Sequence, residues 1–168
     1  MEIKSGAYGA REYCSQTRAE QYLKTDGFAL VAEKEEEIVG TMLVTYDEGE
    51  IPADEVFPVE VSRIRDSFRQ IAYYSNFAIK AGMWYSGIRR SIGIALIREA
   101  IVRARADGIK AAIIIINPRH IKFYKALGFE KVAARDNMPG LGGDVGSRKI
   151  PAVLMVATRE TFCGFDDQ

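Results

Sequence analysis

The sequence predicts an α/β fold, α+β by some schemes: a mixed, twisted sheet of about six to seven strands with helices on both faces. Three observations carry this. A strand, a long helix and a second strand follow one another from Ile71 to Asn117. Two β-rich runs flank an acidic stretch earlier in the chain, and two more strand-like runs come after a second helix. The resulting order is β-α-β-β-β-α-β-α-β-β.

In FALVAEKEEEIVGTMLVTYDEGE, from Phe28, the β-rich runs near 28–33 and 38–46 are separated by Glu33 to Glu37, which reads as a hairpin with a solvated turn. Next comes an insertion over about 49–70, EIPADEVFPVEVSRIRDSFRQ. There Pro52 and Pro58 are expected to break regular structure before a short helix marked by Val61, Ile64 and Phe68. The excursion is longer than a tight connection requires, which fits a cover over a cleft as well as an ordinary surface segment.

IAYYSNFAIK, Ile71 to Lys80, has the aromatic and β-branched content of a strand. SIGIALIREAIVRARADG places Leu96, Ala100 and Ala104 four apart with Ile97 and Ile101 beside them, giving a helix that Gly108 stops. AAIIIIN, Ala111 to Asn117, is a continuous apolar run, as expected of a strand covered on both faces. These three make a βαβ unit with parallel strands and a right-handed crossover. A second helix follows, with Asn117 as cap, Pro118 at its first position, Ile121, Tyr124 and Leu127 as inner stripe, and Gly128 as its end. FEKVAA from Phe129 and AVLMVAT from Ala152 are the last strands, joined by a glycine-rich loop over about 137–150.

The chain has 168 residues, the length of one domain (1–168), with 23 Lys+Arg balancing 23 Asp+Glu. That neutrality gives no overall pull toward polyanions and argues against nucleic acid as a partner. Cys14 and Cys163 form no CxxC pair and His120 is the single histidine, which argues against a disulfide framework and against a metal site. No stretch has the length and apolarity of a membrane span or the form of a signal peptide, so a cytoplasmic location is expected.

The chemistry concentrates at two strand-to-helix junctions. At the first, GIRRSIGIA, Gly87 to Ala95, sets small residues and two arginines at a helix N-terminus, where free backbone N–H groups and the helix dipole suit a phosphate. It is neither a Rossmann GxGxxG nor a P-loop. Gly93 and Ala95 also suit close helix packing with no ligand involved. The second junction is NPRHIKFYKALGFE, Asn117 to Glu130. Taken alone, Tyr124 there fits a core-edge aromatic as well as a catalytic one.

Taken together, the two junctions, from about Ser91 to Phe129, resemble the GNAT superfamily of acyl-CoA-dependent N-acyltransferases. That family commonly carries an Asn-Pro, a helix with an inward tyrosine and a Leu-Gly-Phe exit. The resemblance implies splayed central parallel strands that admit pantetheine. It implies a phosphate cradle at Arg89, Arg90, Ser91, Ile92, Gly93, Ile94 and Ala95, and pantetheine contacts at Phe77, Ala78, Ile79, Asn117 and Phe123. Tyr124 falls on the position of the tyrosine that protonates the departing thiolate, a role that suits a phenol. Two registers fit the family's phosphate pattern: Arg90, Gly93 and Ala95 satisfy it locally, whereas counting back from Gly108 puts its positions at Ile88, Ser91 and Gly93.

ALVAEKEEEIVGTMLV, the insertion around EIPADEVFP and then NFAIK are similar to the branch holding bacterial long-chain N-acyl amino acid synthases, related to acyl-homoserine-lactone synthases. Members of that branch usually carry a glutamate and an arginine on the strand before the long helix. Here those positions are Tyr73 and Asn76, and IAYYSNFAIK contains no carboxylate. A base from elsewhere, such as Glu60 or Asp66, proton loss through water, or donor binding without turnover each accommodates this. Tyr73 is a second candidate catalytic position, and Tyr73 and Tyr74 are equally candidates to shape the acceptor pocket.

The implied function is direct transfer of an acyl group from acetyl-CoA, a longer acyl-CoA or acyl-carrier-protein phosphopantetheine to a primary amine of a small molecule or amino acid, with no metal. The alternative is a catalytically lapsed acyl-thioester-binding or sensor protein. Acyl-carrier protein is the implied macromolecular partner, and an edge strand near the C-terminus offers a surface for a homodimer.

Overall fold

The computed structural model describes residues 2–6, 26–80, 88–136 and 151–162, with side chains described from residue 26 onward except at 88–90 and 162. They belong to two contact-defined units, Met1–Glu48 with Tyr74–Gly108, and Gly49–Tyr73 with Ile109–Gln168. The glycine-rich loop over 137–150, Cys14 and Cys163 lie outside the described residues.

The first unit grows from the hairpin. β1 (Glu2–Gly6) pairs antiparallel with β2 (Gly27–Lys34), and β2 with β3 (Glu37–Tyr46), setting Phe28 opposite Val44 and Leu30 opposite Met42. Period-two burial in β2 sends Phe28, Leu30 and Ala32 to one face. On that face lies α3 (Ile88–Ala106), third in the chain after α1 (Pro52–Val56) and α2 (Pro58–Phe68); it buries Ile92, Leu96, Ile97, Ala100, Ile101 and Ala104. Helix and sheet approach closely at Gly40: a Cβ there would sit 2.8 Å from Ile92 Cγ2 and 3.1 Å from Leu96 Cδ1. At the far end of α3, the Arg103 guanidinium stacks 4.5 Å over the Phe28 ring, and the Tyr46 hydroxyl donates to the Asp107 carboxylate.

Next to β3 in the strand order comes β4 (Ile71–Ile79), whose Tyr74–Ile79 part belongs to this unit; the Lys80 N–H just beyond it donates to the Val39 carbonyl at 2.9 Å. The helix begins three residues ahead of the Ser91 start expected from the apolar pattern.

The β2–β3 turn is the solvated acidic turn expected from the sequence, with a conformation that the sequence hid. Glu35 and Glu36 both take left-handed φ, 53° and 63°. A two-residue hairpin needs positive φ at both positions, which Asn-Gly supplies without the steric cost of a Cβ. Replacing the pair by Glu35→Asn with Glu36→Gly is expected to stabilise the protein by about 1 kcal/mol. A urea midpoint that rises at unchanged m-value confirms it, and a midpoint that falls refutes it.

The second unit contains α1 (Pro52–Val56), α2 (Pro58–Phe68), the first three residues of β4, β5 (Ala111–Ile116), a 3₁₀ turn (Pro118–His120), α4 (Ile121–Lys125), β6 (Glu130–Arg135), β7 (Ala152–Thr158) and α5 (Arg159–Phe162). Within it the strand order is β4-β5-β7-β6. β7 runs antiparallel to both neighbours, with Ile114 opposite Met155 and Ala133 opposite Leu154. The starts of β4 and β5 are tied by the Lys110 N–H, which donates to the Gln70 carbonyl at 2.8 Å.

One expectation is corrected in this unit. Pro52 and Pro58 open helices, each as the first helical residue, so the insertion holds two helices in place of broken chain and one short helix. The physical reason is that the first turn leaves its N–H groups unbonded, so proline loses nothing there and presets φ. The Asp54 carboxylate accepts from the Ile51 N–H at 2.9 Å and from Arg65 Nη2 and Nη1, at 2.8 and 3.2 Å, which fastens α1 to α2. Val56, Phe57, Val61 and Ile64 then pack with Ile71 and Tyr73 of β4, Ala111 and Ile113 of β5, and Ala152 and Leu154 of β7. No described helix is long and apolar enough to cross a membrane.

Candidate active site

Asn117 starts the second junction as its residue type suggests: in extended conformation, its side-chain oxygen accepts the Arg119 N–H at 3.2 Å. That commits the oxygen to the cap and leaves the amide N–H groups for a ligand. Pro118 opens the 3₁₀ turn, which tightens the entry to α4. Gly128, at φ 84°, ends the helical segment where a Cβ would meet the Thr161 carbonyl oxygen at 2.8 Å. His120 is half-buried, and its Nε2 accepts from Arg119 Nε at 3.0 Å.

This local geometry holds Tyr124 5% exposed. Its ring is gripped edge-on from two sides, by Phe123 at 5.1 Å and 83° and by Phe129 at 5.7 Å and 85°. The Leu127 and Phe129 N–H groups both donate to the Tyr124 carbonyl at 3.0 Å, which fixes the backbone beneath the ring. Burial pushes the phenol up to about 12. The hydroxyl therefore keeps its proton across the physiological range and is a hydrogen-bond donor, as protonation of a leaving thiolate requires. Phe123, expected as a pantetheine contact, is half-buried and positions this ring.

Tyr73, the second candidate, is 7% exposed and packs in the apolar cluster with Phe57, Val61, Ile113 and Leu154. Glu60 on α2 stands 2.7 Å from Arg135 Nη2, and that guanidinium holds its carboxyl below the usual range. A carboxylate stabilised in its charged form is a weak base. Asp66 is exposed on α2.

In the first unit, Asn76 takes a left-handed φ of 48° within β4, and the Thr41 hydroxyl contacts its carbonyl at 3.5 Å. Such a residue interrupts strand alternation, and irregularities of this kind are common beside active sites. Sequence reasoning marked Asn76 only as a missing arginine. The available signal was its type: asparagine, among aromatic and β-branched residues, is one of the few side chains that tolerate positive φ. Beyond it Phe77 and Ile79 are half-buried and Ala78 is exposed.

At the first junction, Arg89 and Arg90 fall in the first turn of α3. An α-helix leaves only its earliest N–H groups free, so with the helix starting at Ile88 the amides open to a phosphate lie ahead of Ile92, and those of Gly93, Ile94 and Ala95 lie within the bonded helix. Ile92 directs its side chain into the core against Gly40, Gly93 is buried, and Ser91 is exposed.

A family model described as the N-acyl amino acid synthase FeeM matches residues 3–157 of this chain. Among solved structures, FeeM from uncultured soil microbes superposes with a TM-score of 0.67 at 21% identity, over 86% of this chain and 80% of its own. A GNAT family acetyltransferase from Elizabethkingia anophelis, with acetyl-CoA bound, gives 0.60 at 18% identity over 93% and 97%. A Bacillus subtilis acetyltransferase in complex with CoA gives 0.62 at 16% identity, again over 93% and 97%. No curated protein matches the sequence.

Proposed function

Because the chain belongs to the FeeM family of N-acyl amino acid synthases, and is thus an N-acyltransferase, we propose that it moves an acyl group from a phosphopantetheine thioester, carried on coenzyme A or on acyl-carrier protein, to the primary amine of an amino acid or similar small molecule. The observation that carries this reading is Tyr124: a clamped, nearly buried phenol that holds its proton, on the helix that follows the Asn-Pro junction.

The neutral amine attacks the thioester carbonyl carbon, a C–N bond forms, and the tetrahedral centre collapses with loss of the C–S bond. Tyr124 hydrogen-bonds the leaving sulfur. The proton shed by the amine passes to water, since β4 carries no carboxylate and Glu60 is engaged by Arg135. Arg89, Arg90, Ser91 and the first amides of α3 take the donor's phosphate, and Asn117, Phe77, Ala78 and Ile79 border its pantetheine arm. Support for coenzyme A as one carrier comes from the two CoA-bound relatives of the same fold.

Thiol release is the decisive measurement. Acyl-CoAs and acyl-carrier proteins of increasing chain length are supplied with a panel of amino acids, and free thiol is followed with time. Amine-dependent release is expected, and the arm that releases faster identifies the carrier. A donor present at 100 times its dissociation constant should also add about 2.7 kcal/mol of stability. Absence of both amine-dependent release and a thermal shift, with either carrier, overturns the proposal.

A further inference from the structure

Arg135, the last residue of β6, carries a guanidinium that is held in place and still open to solvent. Its Nη2 donates to Glu60 Oε1 of α2 at 2.7 Å, its Nη1 donates to the Ala134 carbonyl at 3.3 Å, and its central carbon lies 5.1 Å over the Phe57 ring. The side chain remains 43% exposed. A half-exposed ion pair adds little to stability, so the fold alone gives small reason for this arrangement. Each terminal nitrogen keeps a second N–H for a further acceptor, and a flat, fixed set of charged donors suits a carboxylate.

The sheet register places Arg135 beside the second junction, and every residue involved belongs to the second unit. Ile116 of β5 stands opposite Val153 of β7, which stands opposite Ala134 of β6. One residue further along, Asn117, Ala152 and Arg135 make up the next row, with Ala152 opposite Arg135. Two strand spacings, about 10 Å, separate the backbones of Asn117 and Arg135.

These two residues also share a face of the sheet. Ile115 and Ala133 pack against the cluster that α1 and α2 form on the strands, and Asn117 and Arg135 follow them by two residues, Asn117 still in extended conformation. Cover on this face thins toward that end of the sheet. Along β5, Ile113 is 0% exposed, whereas Ile115 and Asn117 are only half-buried.

Asn117 borders the pantetheine arm in the reading above, so the acceptor must bring its amine to this end of the sheet. A carboxylate bound about 3 Å from the guanidinium carries its α-amine roughly 3 Å further on, which covers much of the interval toward Asn117. A simple amine offers the guanidinium nothing to hold.

Resting on that acyl-transfer reading, we propose that Arg135 binds the carboxylate of the acceptor and so selects an amino acid over an amine that lacks one. Phe57 and Glu60 keep the guanidinium in position for it.

The test compares L-amino acids with their C-terminal amides as acceptors, following thiol release by the full chain at saturating donor. The amide keeps the amine and the side chain and removes the negative charge. In the wild type, the acid is expected to have a KM about tenfold below that of its amide, the low end for a charge-assisted hydrogen bond because the guanidinium is partly in water. Arg135→Leu should raise the KM of the acid about tenfold and leave unchanged both the KM of the amide and the thermal shift given by the donor alone. Arg135→Lys, which keeps a cation, should retain part of the preference.

Acid and amide KM values within twofold of each other in the wild type overturn the inference while acyl transfer stands. An undiminished preference in Arg135→Leu does the same, as does an equal rise for acid and amide, which marks the residue as structural. If no amine of either kind promotes thiol release, the acyl-transfer reading fails and the inference fails with it.

Discussion

Tyr124→Phe lowers kcat about 100-fold, with donor binding held within twofold. The size follows from what the hydroxyl does. A positioned proton donor in the transition state typically contributes 10²- to 10⁴-fold, and the lower end applies because the phenol is pushed up to about 12. An ordinary thiol titrates near about 8.5, so full proton transfer from Tyr124 to the departing sulfur is uphill. The hydroxyl therefore acts mainly as a hydrogen-bond donor to charge developing on sulfur, a stabilisation made in the transition state and absent from the ground state. The ring, clamped by Phe123 and Phe129, is retained in phenylalanine, which is why binding and fold survive. Steady-state kinetics with both substrates varied checks this, and an unchanged kcat removes Tyr124 from the chemistry.

The same substitution has a second readout at alkaline pH. Tyr124 is raised above its unfolded value of about 10. Below pH 10 both states hold the proton and the stability is intact. Between pH 10 and about 12 the unfolded phenol ionises while the folded one resists, so stability falls with rising pH, by roughly 3 kcal/mol in all for a shift of this size. Tyr124→Phe should flatten that alkaline slope in denaturant titrations. Some slope should remain, because burial also raises Tyr74.

The difference between what was and was not legible in the sequence follows physical lines. The long helix was legible because Leu96, Ala100 and Ala104 repeat at one helical period, and the hairpin because its strands carry β-branched residues on both sides of an acidic stretch. Asn117, Pro118 and Gly128 act locally, on their own backbone, so their roles as cap, entry and exit could be read from type and spacing. Pro52 and Pro58 were misread because a proline interrupts a helix or opens one according to which residues have their N–H groups bonded, and that is decided by what the chain packs against.

The site divides similarly. Tyr124 was marked by its flanking motif, whereas its burial, and hence its hold on the proton, comes from Phe129 and the folded surroundings. Glu60 is a candidate base by its place in the insertion, and only the fold brings Arg135, 75 positions away, against its carboxylate.

Phe57→Ala is the substitution expected to cost the most stability, about 3–5 kcal/mol. Phe57 is 0% exposed and stands where α1 ends and α2 begins. Its N–H donates to Ala53 and its carbonyl accepts from Val61, both at 2.9 Å, so backbone and ring are fixed together. The ring packs in the cluster that joins both insertion helices to β4, β5 and β7, and the Arg135 guanidinium lies 5.1 Å over its face. Truncation leaves a cavity among side chains held by three strands, which restricts collapse, and removes the surface on which Arg135 rests. Arg135 still has Glu60, at 2.7 Å, so the ion pair can survive while the apolar contacts are lost. A protein of this length should then melt about 6–20 °C lower. Phe57→Leu, which refills most of the volume, should recover more than half of the loss, and Arg135→Leu should cost under 1.5 kcal/mol, because an exposed cation over an aromatic face contributes little. If Phe57→Ala and Arg135→Leu cost the same, the insertion is held by the guanidinium contact and not by the apolar cluster.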